Sequence, residues 1–313
     1  MSKSVLVTGA AGFIASHLVE ALLDRGYQVI GIDNLRTGSL ENLDGVMDHT
    51  QFDFRKEDIC DDQFQESFEN EIDLIFHLAA ISSVKLSTEH PKLVNHVNVD
   101  GTINVLELAR HTNASRVIFT SSAAVYGDPG IIPIPESAHL QALSPYAASK
   151  IAAEQYITAY SNLYDIDSTI LRLFNIFGPR QAYSEYSGVI SIFINRLLKG
   201  DVLEIEGDGK QTRSFVYVKD LIDTLLKTSE IHEAANRIFN ISGGMSISVL
   251  DIIEHLRSIS NGDIKTKHVP SRIGDIRESL GSTKLAEDIL KFTPKVSFEE
   301  GLRETYEWYL SKT

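Results

Sequence analysis

Val5-Leu6-Val7-Thr8-Gly9-Ala10-Ala11-Gly12-Phe13-Ile14-Ala15-Ser16 decides the fold. A short apolar run rich in valine meets two glycines, and from Phe13 the apolar residues change to helical spacing. Ile14, Leu18, Ala21 and Leu22 share one side until Gly26 stops the pattern. A second strand pattern, from Tyr27 to Ile32, ends at Asp33. Strand, glycine-rich turn, helix, strand and acid is the order of a dinucleotide-binding βαβ unit. Glycine lets the backbone approach a pyrophosphate, and the helix N-terminus offers free N–H groups and a positive dipole end. Asp33 is placed to bond the adenosine ribose hydroxyls and to repel a 2′-phosphate. That favours NAD over NADP, a preference that Arg36 weakens slightly. The spacing is Gly9-x-x-Gly12-x-x-Ala15, with alanine at the third position, so helix and strand pack slightly further apart.

Strands and helices continue to alternate. Thr50 to Phe54 reads as a strand with Asp53 at its end, where an adenine edge could be met. Asp73 to Leu78 reads as a buried strand running into Ala79-Ala80-Ile81, residues small enough for a cofactor to lie close. Val94 to Arg110 is helical, and Arg116 to Thr120 is another strand, followed by Ser121-Ser122. This pattern predicts an α/β fold, a Rossmann-like doubly wound parallel sheet with ligands at the C-terminal strand ends. His77 has no second ligand at suitable spacing, so it reads as a core histidine and no metal site is expected. Further on, Ser144-Pro145 opens a helix as N-cap and first helical residue. Tyr146 and Lys150 then share a face. An ammonium beside a phenol favours the phenolate, which is a general base for a hydroxyl.

Composition sets the limits. The chain has 313 residues, 43% hydrophobic and 23% charged, as in ordinary globular proteins. A net charge of −14 argues against a nucleic-acid or anionic-membrane surface, so a phosphate-bearing substrate requires locally basic residues. A single cysteine, Cys60, excludes an internal disulfide and suits a cytoplasmic location. Val5 to Ala15 lies where a signal peptide would, but its glycines and the helix that follows argue against one. No apolar run is long enough to span a bilayer.

Taken together, the motifs resemble the extended short-chain dehydrogenase/reductases that modify nucleotide sugars. The matching pieces are Thr8 to Ser16, Asp33-Asn34-Leu35, His77-Leu78-Ala79-Ala80, Ser121 to Gly127 and Tyr146-x-x-x-Lys150. Leu173 to Pro179, Arg213 to Val218 and Arg272-x-Gly274-Asp275 extend them along nearly the whole chain. The resemblance implies a Rossmann domain over 1–170 and a mainly substrate-binding lobe over 171–313, with part of 213–240 returning to the first domain. It implies a tightly held NAD contacted by Gly9, Gly12, Phe13, Ile14, Asp33, Asn34, Asp53, Phe54, Leu78, Ala79, Ala80, Asn98, Tyr146 and Lys150. Ser122, Tyr146 and Lys150 are the implied catalytic trio.

Ala123 and Ala124 follow Ser122, where family members that dehydrate or decarboxylate carry acids; neither alanine moves a proton. What remains is oxidation and re-reduction at one carbon, and the resemblance implies 4-epimerisation of a UDP-hexose through a transient 4-keto sugar. Substrate contacts are implied for Ser122, Tyr146, Asn175, Arg213, Arg272, Asp275 and Ser279. Asn175 and the two arginines would meet the diphosphate. Ser279 occupies the position that lines the sugar pocket, and a small residue there admits N-acetyl groups. UDP-GlcNAc/UDP-GalNAc thus join UDP-glucose/UDP-galactose as expected substrates. The family pattern also implies a homodimer formed through the helices after Val94 and after Tyr146. Trp308 reads as packing. The alternatives are a UDP-glucuronate 4-epimerase and a catalytically silent NAD-sensing protein of the same fold. Ser214 and Gly281-Ser282 depart from the family pattern and leave the sugar open.

Overall fold

The opening strand lies inside a parallel sheet, with pairing partners on both edges. This computed structural model describes residues 3–68, 71–184, 187–271 and 276–313. Among them the main sheet has seven strands: β1 (Ser4–Thr8), β2 (Gln28–Ile32), β3 (Phe52–Arg55), β4 (Leu74–His77), β5 (Arg116–Ser122), β6 (Asp167–Leu173) and β7 (Arg237–Ile241). Their order is β7-β6-β5-β4-β1-β2-β3, and every pairing is parallel. Progression along the sheet reverses between β1 and β4, which opens a crevice beyond their C-terminal ends.

Both faces of the sheet are covered, so Val5, Leu6 and Val7 are all fully buried. Their side chains alternate. Val5 and Val7 pack with Leu18, Val19 and Leu22 of helix α1 (Phe13–Asp24). Leu6 packs on the other face, with Val105 and Leu108 of helix α2 (Gly101–His111) and Ile157 of helix α3 (Pro145–Tyr164). Helix α3 starts where its sequence directs: the Ser144 side chain accepts from the Ala147 N–H at 3.1 Å, and Pro145 is the first residue. It stops at Asp165 in the left-handed region, φ 56°. The helix expected from Val94 instead has three parts. A short helix, Pro91–Asn95, passes through a wide π turn, His96–Asp100, into α2.

The later residues build smaller sheets. Asn175–Phe177 pairs parallel with Phe215–Tyr217. Thr212–Arg213 lies between Ile247–Ser248 and Glu278–Ser279. After Phe215–Tyr217 the chain returns to the main sheet: helix Val218–Glu230 packs against α1, and β7 joins the edge beside β6. The last helix, Phe298–Leu310, packs on Phe177 and Tyr217 through its residues Phe298 and Gly301. Among the described residues no helix is long and apolar enough to cross a membrane.

Candidate active site

The crevice at the strand reversal is a cavity of about 1620 Å³. Its walls come from the C-terminal ends of β1, β2, β4 and β5 and from the start of α3. Gly9 sits at its floor with φ +73°, and a Cβ there would lie 3.0 Å from the backbone N and Cα of Ala79. Gly12 is the N-cap of α1 without a side chain to occupy the free N–H groups, and a Cβ on it would meet the Gly9 carbonyl oxygen at 2.9 Å. Phe13, Ile14, Leu78, Ala79 and Ala80 line the same space. The Thr8 hydroxyl accepts from the N–H groups of Leu78 and Ala79, which fixes that wall.

Asp33 lines the cavity and also ties the glycine turn down. Its carboxylate accepts from Ala11 N at 3.0 Å and Leu35 N at 2.7 Å, leaving lone pairs for a hydroxyl ligand. Burial pushes the Asp33 carboxyl up, and the two backbone donors pull it back. Asn34 lines the cavity too, and donates to Asp58 Oδ2 at 2.8 Å. The structure corrects the adenine-edge expectation for Asp53. Strand β3 continues to Arg55, so Asp53 sits within it, points to solvent and pairs with Arg55 at 2.8 Å. Asp58 and Ile59, further along the chain, do line the cavity. Burial works upward on Asp58, but the Cys60 N–H and Asn34 hold its carboxyl below the usual range. Phe54 is outside the lining as well; it packs against the core beside Phe52. Asn98 stands behind the wall. Its amide oxygen accepts from Ile81 N at 2.8 Å, and its nitrogen donates to Ile81 O and to Ser149 Oγ.

Ser122, Tyr146 and Lys150 meet in the cavity. Ser122 ends β5 and caps the following 3-10 turn, its hydroxyl accepting from Ala124 N at 3.2 Å. The same side chain acts on the Tyr146 phenol, favouring its ionised form. Tyr146 is 7% exposed and Lys150 3%, with the Lys150 ammonium 4.1 Å from the centre of the Phe119 ring. Their electrostatics differ from the expectation. Burial pushes Tyr146 up, with only the Ser122 side chain opposing it. Burial also brings Lys150 down to about 7, against the pull of Glu154. Burial thus works against charge on both groups, opposite in sense to the effect of their spacing.

His77 is the core histidine expected. Thr102 donates its hydroxyl to the Asn98 carbonyl, so it accepts from His77 Nε2–H at 2.9 Å. His77 Nδ1 then accepts from the Thr8 hydroxyl at 2.8 Å. Burial holds this imidazole neutral, down to about 3, with the Lys150 charge adding to the effect.

The expected substrate residues divide. Arg213 and Ser279 are register partners in neighbouring strands, and Ser214 N donates to Ser279 O at 3.0 Å. Asn175 follows Phe174, a lining residue, but its amide nitrogen donates to Ser214 O at 3.0 Å. None of these three lines the cavity among the described residues. Arg272 and Asp275 lie outside the described residues. Among the lining residues that were not expected are Arg180, paired with Glu20 at 2.5 Å, and Trp308 and Lys312 from the C-terminal end. The packing role read for Trp308 is thus incomplete, because its ring packs on the core and also forms cavity wall. Arg180 had a signal, adjoining the Gly178-Pro179 turn of a recognised motif. Trp308 had none.

Known proteins resemble this chain over its full length. The family model of the NAD dependent epimerase/dehydratase family matches residues 5–242. A UDP-glucose 4-epimerase of Mycolicibacterium smegmatis is 37% identical over 310 residues, covering 98% of this chain and 99% of the relative. A solved structure of a UDP-N-acetylglucosamine 4-epimerase from Methanobrevibacter ruminantium, in complex with UDP-N-acetylmuramic acid, is 38% identical. It superposes with a TM-score of 0.94 over 100% of this chain and 99% of its own. A UDP-glucuronic acid 4-epimerase from Bacillus cereus, in complex with UDP-glucuronic acid and NAD, is 31% identical. Its TM-score is 0.92 over 99% and 100% of the two chains.

Proposed function

Because the chain belongs to the NAD dependent epimerase/dehydratase family, and within it to the UDP-sugar 4-epimerases, which are isomerases, we propose that its substrates are neutral UDP-hexoses. These are UDP-glucose/UDP-galactose together with UDP-GlcNAc/UDP-GalNAc. The observation that carries the reading is the meeting of Ser122, buried Tyr146 and buried Lys150 in one cavity, next to two alanines that move no proton.

In this reading Tyr146, as the phenolate that the Lys150 ammonium and the positive nicotinamide ring of bound NAD would favour, takes the proton of the sugar 4-hydroxyl while Ser122 holds the same oxygen and steadies its developing charge. Lys150, its ammonium disfavoured by burial and supported by Glu154, supplies positive charge on the same helical face. The residues fit NAD: the glycine floor is a cradle that a Cβ would fill, α1 points free N–H groups at it, and Asp33 keeps acceptor capacity. Gly9, Gly12, Phe13 and Ile14 would hold the pyrophosphate, Asp33 a ribose, Asp58 the adenine, and Ala79-Ala80 would let the dinucleotide lie close. NAD, when bound, would supply the chemistry of reversible hydride transfer at C4. The 4-keto sugar turns over between the two transfers, and Tyr146 returns its proton.

The substrate lobe takes its sugar specificity from Ser279, a small residue held beside Arg213 by strand pairing. Asn175, Arg213, Arg272 and Asp275 serve the nucleotide-sugar end. As a cytoplasmic enzyme it would be a homodimer: Leu163, Tyr156 and Tyr164 on α3 are 70%, 42% and 41% exposed, an apolar helix face suited to a second copy. The test is C4-epimer formation, without added cofactor, from UDP-glucose, UDP-galactose, UDP-GlcNAc and UDP-glucuronate. Turnover of the neutral sugars supports the reading. Turnover of glucuronate alone moves the substrate to the uronate class. Inertness towards all four, even with NAD supplied, overturns it in favour of a silent NAD-binding protein.

A further inference from the structure

Immediately behind the catalytic residues, outside the cavity, lies a buried ion pair with no part in the chemistry above. Glu154 is one helical turn beyond Lys150 on α3 and is 1% exposed; Arg172 on β6 is 3% exposed. The two are joined at both points of the fork, Arg172 Nε to Glu154 Oε1 at 3.0 Å and Nη2 to Oε2 at 2.7 Å. Glu154 Oε1 accepts a third bond, 2.5 Å, from the hydroxyl of Ser121, the residue before Ser122 on β5. Ser121 and Arg172 are themselves register partners across β5 and β6.

One carboxylate on the helix of Tyr146 and Lys150 is therefore bonded to both strands beneath it, one of which ends in Ser122. The remaining donor of Arg172, Nη1, reaches the Tyr126 hydroxyl and the Glu136 carbonyl, each at 2.9 Å. Tyr126 in turn donates to Asn240 Oδ1 at 2.7 Å. Asn240 donates to the Ile134 carbonyl, and the Ile134 N–H donates to Leu280 O, next to Ser279. The network thus runs from the catalytic helix to the segment carrying the proposed specificity residue, with every polar atom of the ion pair bonded.

We propose that the Glu154–Arg172 pair is the positioning element of this active site: it fixes Tyr146 and Lys150 on α3 against Ser122 on β5 at the separation that proton transfer needs. The pair touches no substrate atom and acts through those three residues. A buried ion pair is a poor source of stability, since an apolar pair of similar volume often serves the fold equally well. What an apolar pair lacks is direction: it has no preferred angle or register, whereas a two-point guanidinium–carboxylate bond permits one. The Glu154 charge also supports the Lys150 ammonium against its burial. The inference rests on the reading of Tyr146 as the proton-moving group.

Two variants test it in the NAD-loaded full chain, with Tyr146→Phe in parallel. The charge-free double variant Glu154→Leu with Arg172→Met removes both ions at once. It is expected to melt near the wild-type temperature and to keep KM within threefold, while kcat falls thirtyfold or more. Arg172→Lys keeps the charge and loses the fork; its kcat is expected to fall about tenfold at unchanged KM. This second variant decides the matter if the first does not fold. Wild-type kcat in Arg172→Lys, or in a folded double variant, overturns the proposal and leaves the pair a merely structural role. If Tyr146→Phe itself keeps wild-type kcat, the catalytic reading beneath the proposal has failed and the proposal falls with it. An inactive Tyr146→Phe beside fully active pair variants means that only the positioning idea is wrong.

Discussion

Gly9→Ala tests whether the glycine floor is needed for its shape, and Gly26→Ala provides the control. Both residues sit at nearly the same positive φ, +73° and +77°. An alanine at either place pays a similar conformational cost of about 1–2 kcal/mol. Their surroundings differ. A Cβ at Gly26 meets nothing within 4 Å, whereas at Gly9 it lies 3.0 Å from two backbone atoms of Ala79. Those atoms follow a buried central strand and are held by the Thr8 hydroxyl, so they have little room to give. Overpacking at such a site adds about 1–3 kcal/mol. At about 2 cal/mol/K per residue, a chain of 313 residues loses roughly 1.5 °C of Tm per kcal/mol. Gly26→Ala should then melt about 2 °C below wild type with its NAD content intact. Gly9→Ala should melt about 3–8 °C lower and be purified with most of its NAD lost, because the displaced Ala79 is cavity wall. Differential scanning calorimetry and absorbance of the released nucleotide give both numbers. Equal melting and equal NAD in the two variants would refute the close-approach argument.

Three further outcomes follow from the same geometry. Tyr146→Phe should fold and hold NAD while kcat drops about 10³-fold; a drop below tenfold in steady-state assays would remove Tyr146 as the base. Ser279→Tyr should lower kcat/KM for UDP-GlcNAc at least tenfold more than for UDP-glucose, and equal losses would mean that the position is no gate. His77 stays neutral in the fold down to about pH 3, whereas an unfolded histidine binds a proton below about 6.5. The unfolded chain therefore gains protons first, and stability falls as pH drops through that window. Between pH 6.5 and 5 this histidine accounts for a loss of about 2 kcal/mol. In His77→Gln that share of the acid slope should vanish; identical slopes in melting against pH would contradict it.

The fold and the centre of the site were legible because their signals are local. Val5 to Asp33 announces its strand, turn, helix and acid within one continuous stretch, and Tyr146 and Lys150 need only helical spacing to meet. His77 was legible for a similar reason, since a lone histidine in an apolar strand has only neighbours to bond. Signals failed where geometry is made between distant segments. That Asp58 lines the cavity and Asp53 does not depends on β3 running one residue further and on the turn after it, in which the Asp58 carboxylate accepts from Cys60 N. Trp308 and Lys312 reach the cavity from the end of the chain, and no pattern near them points there. Spacing reports the proximity of Tyr146 to Lys150 but not the burial that both groups undergo, which works against charge on either. Gly281 shows the same limit. It looked like a loss of the family's usual residue, yet a Cβ there would strike the Phe174 ring at 2.4 Å.

The central claim is that one hydrogen leaves C4 and the same hydrogen returns to its other face. Epimerisation run in D₂O, with the recovered UDP-sugars analysed by proton NMR and mass spectrometry, tests it most directly. The account predicts equilibrium between the C4 epimers with no deuterium at C4. Deuterium at C4 would mean that the hydrogen leaves as a proton, and the roles proposed for Ser122, Tyr146 and Lys150 would be wrong.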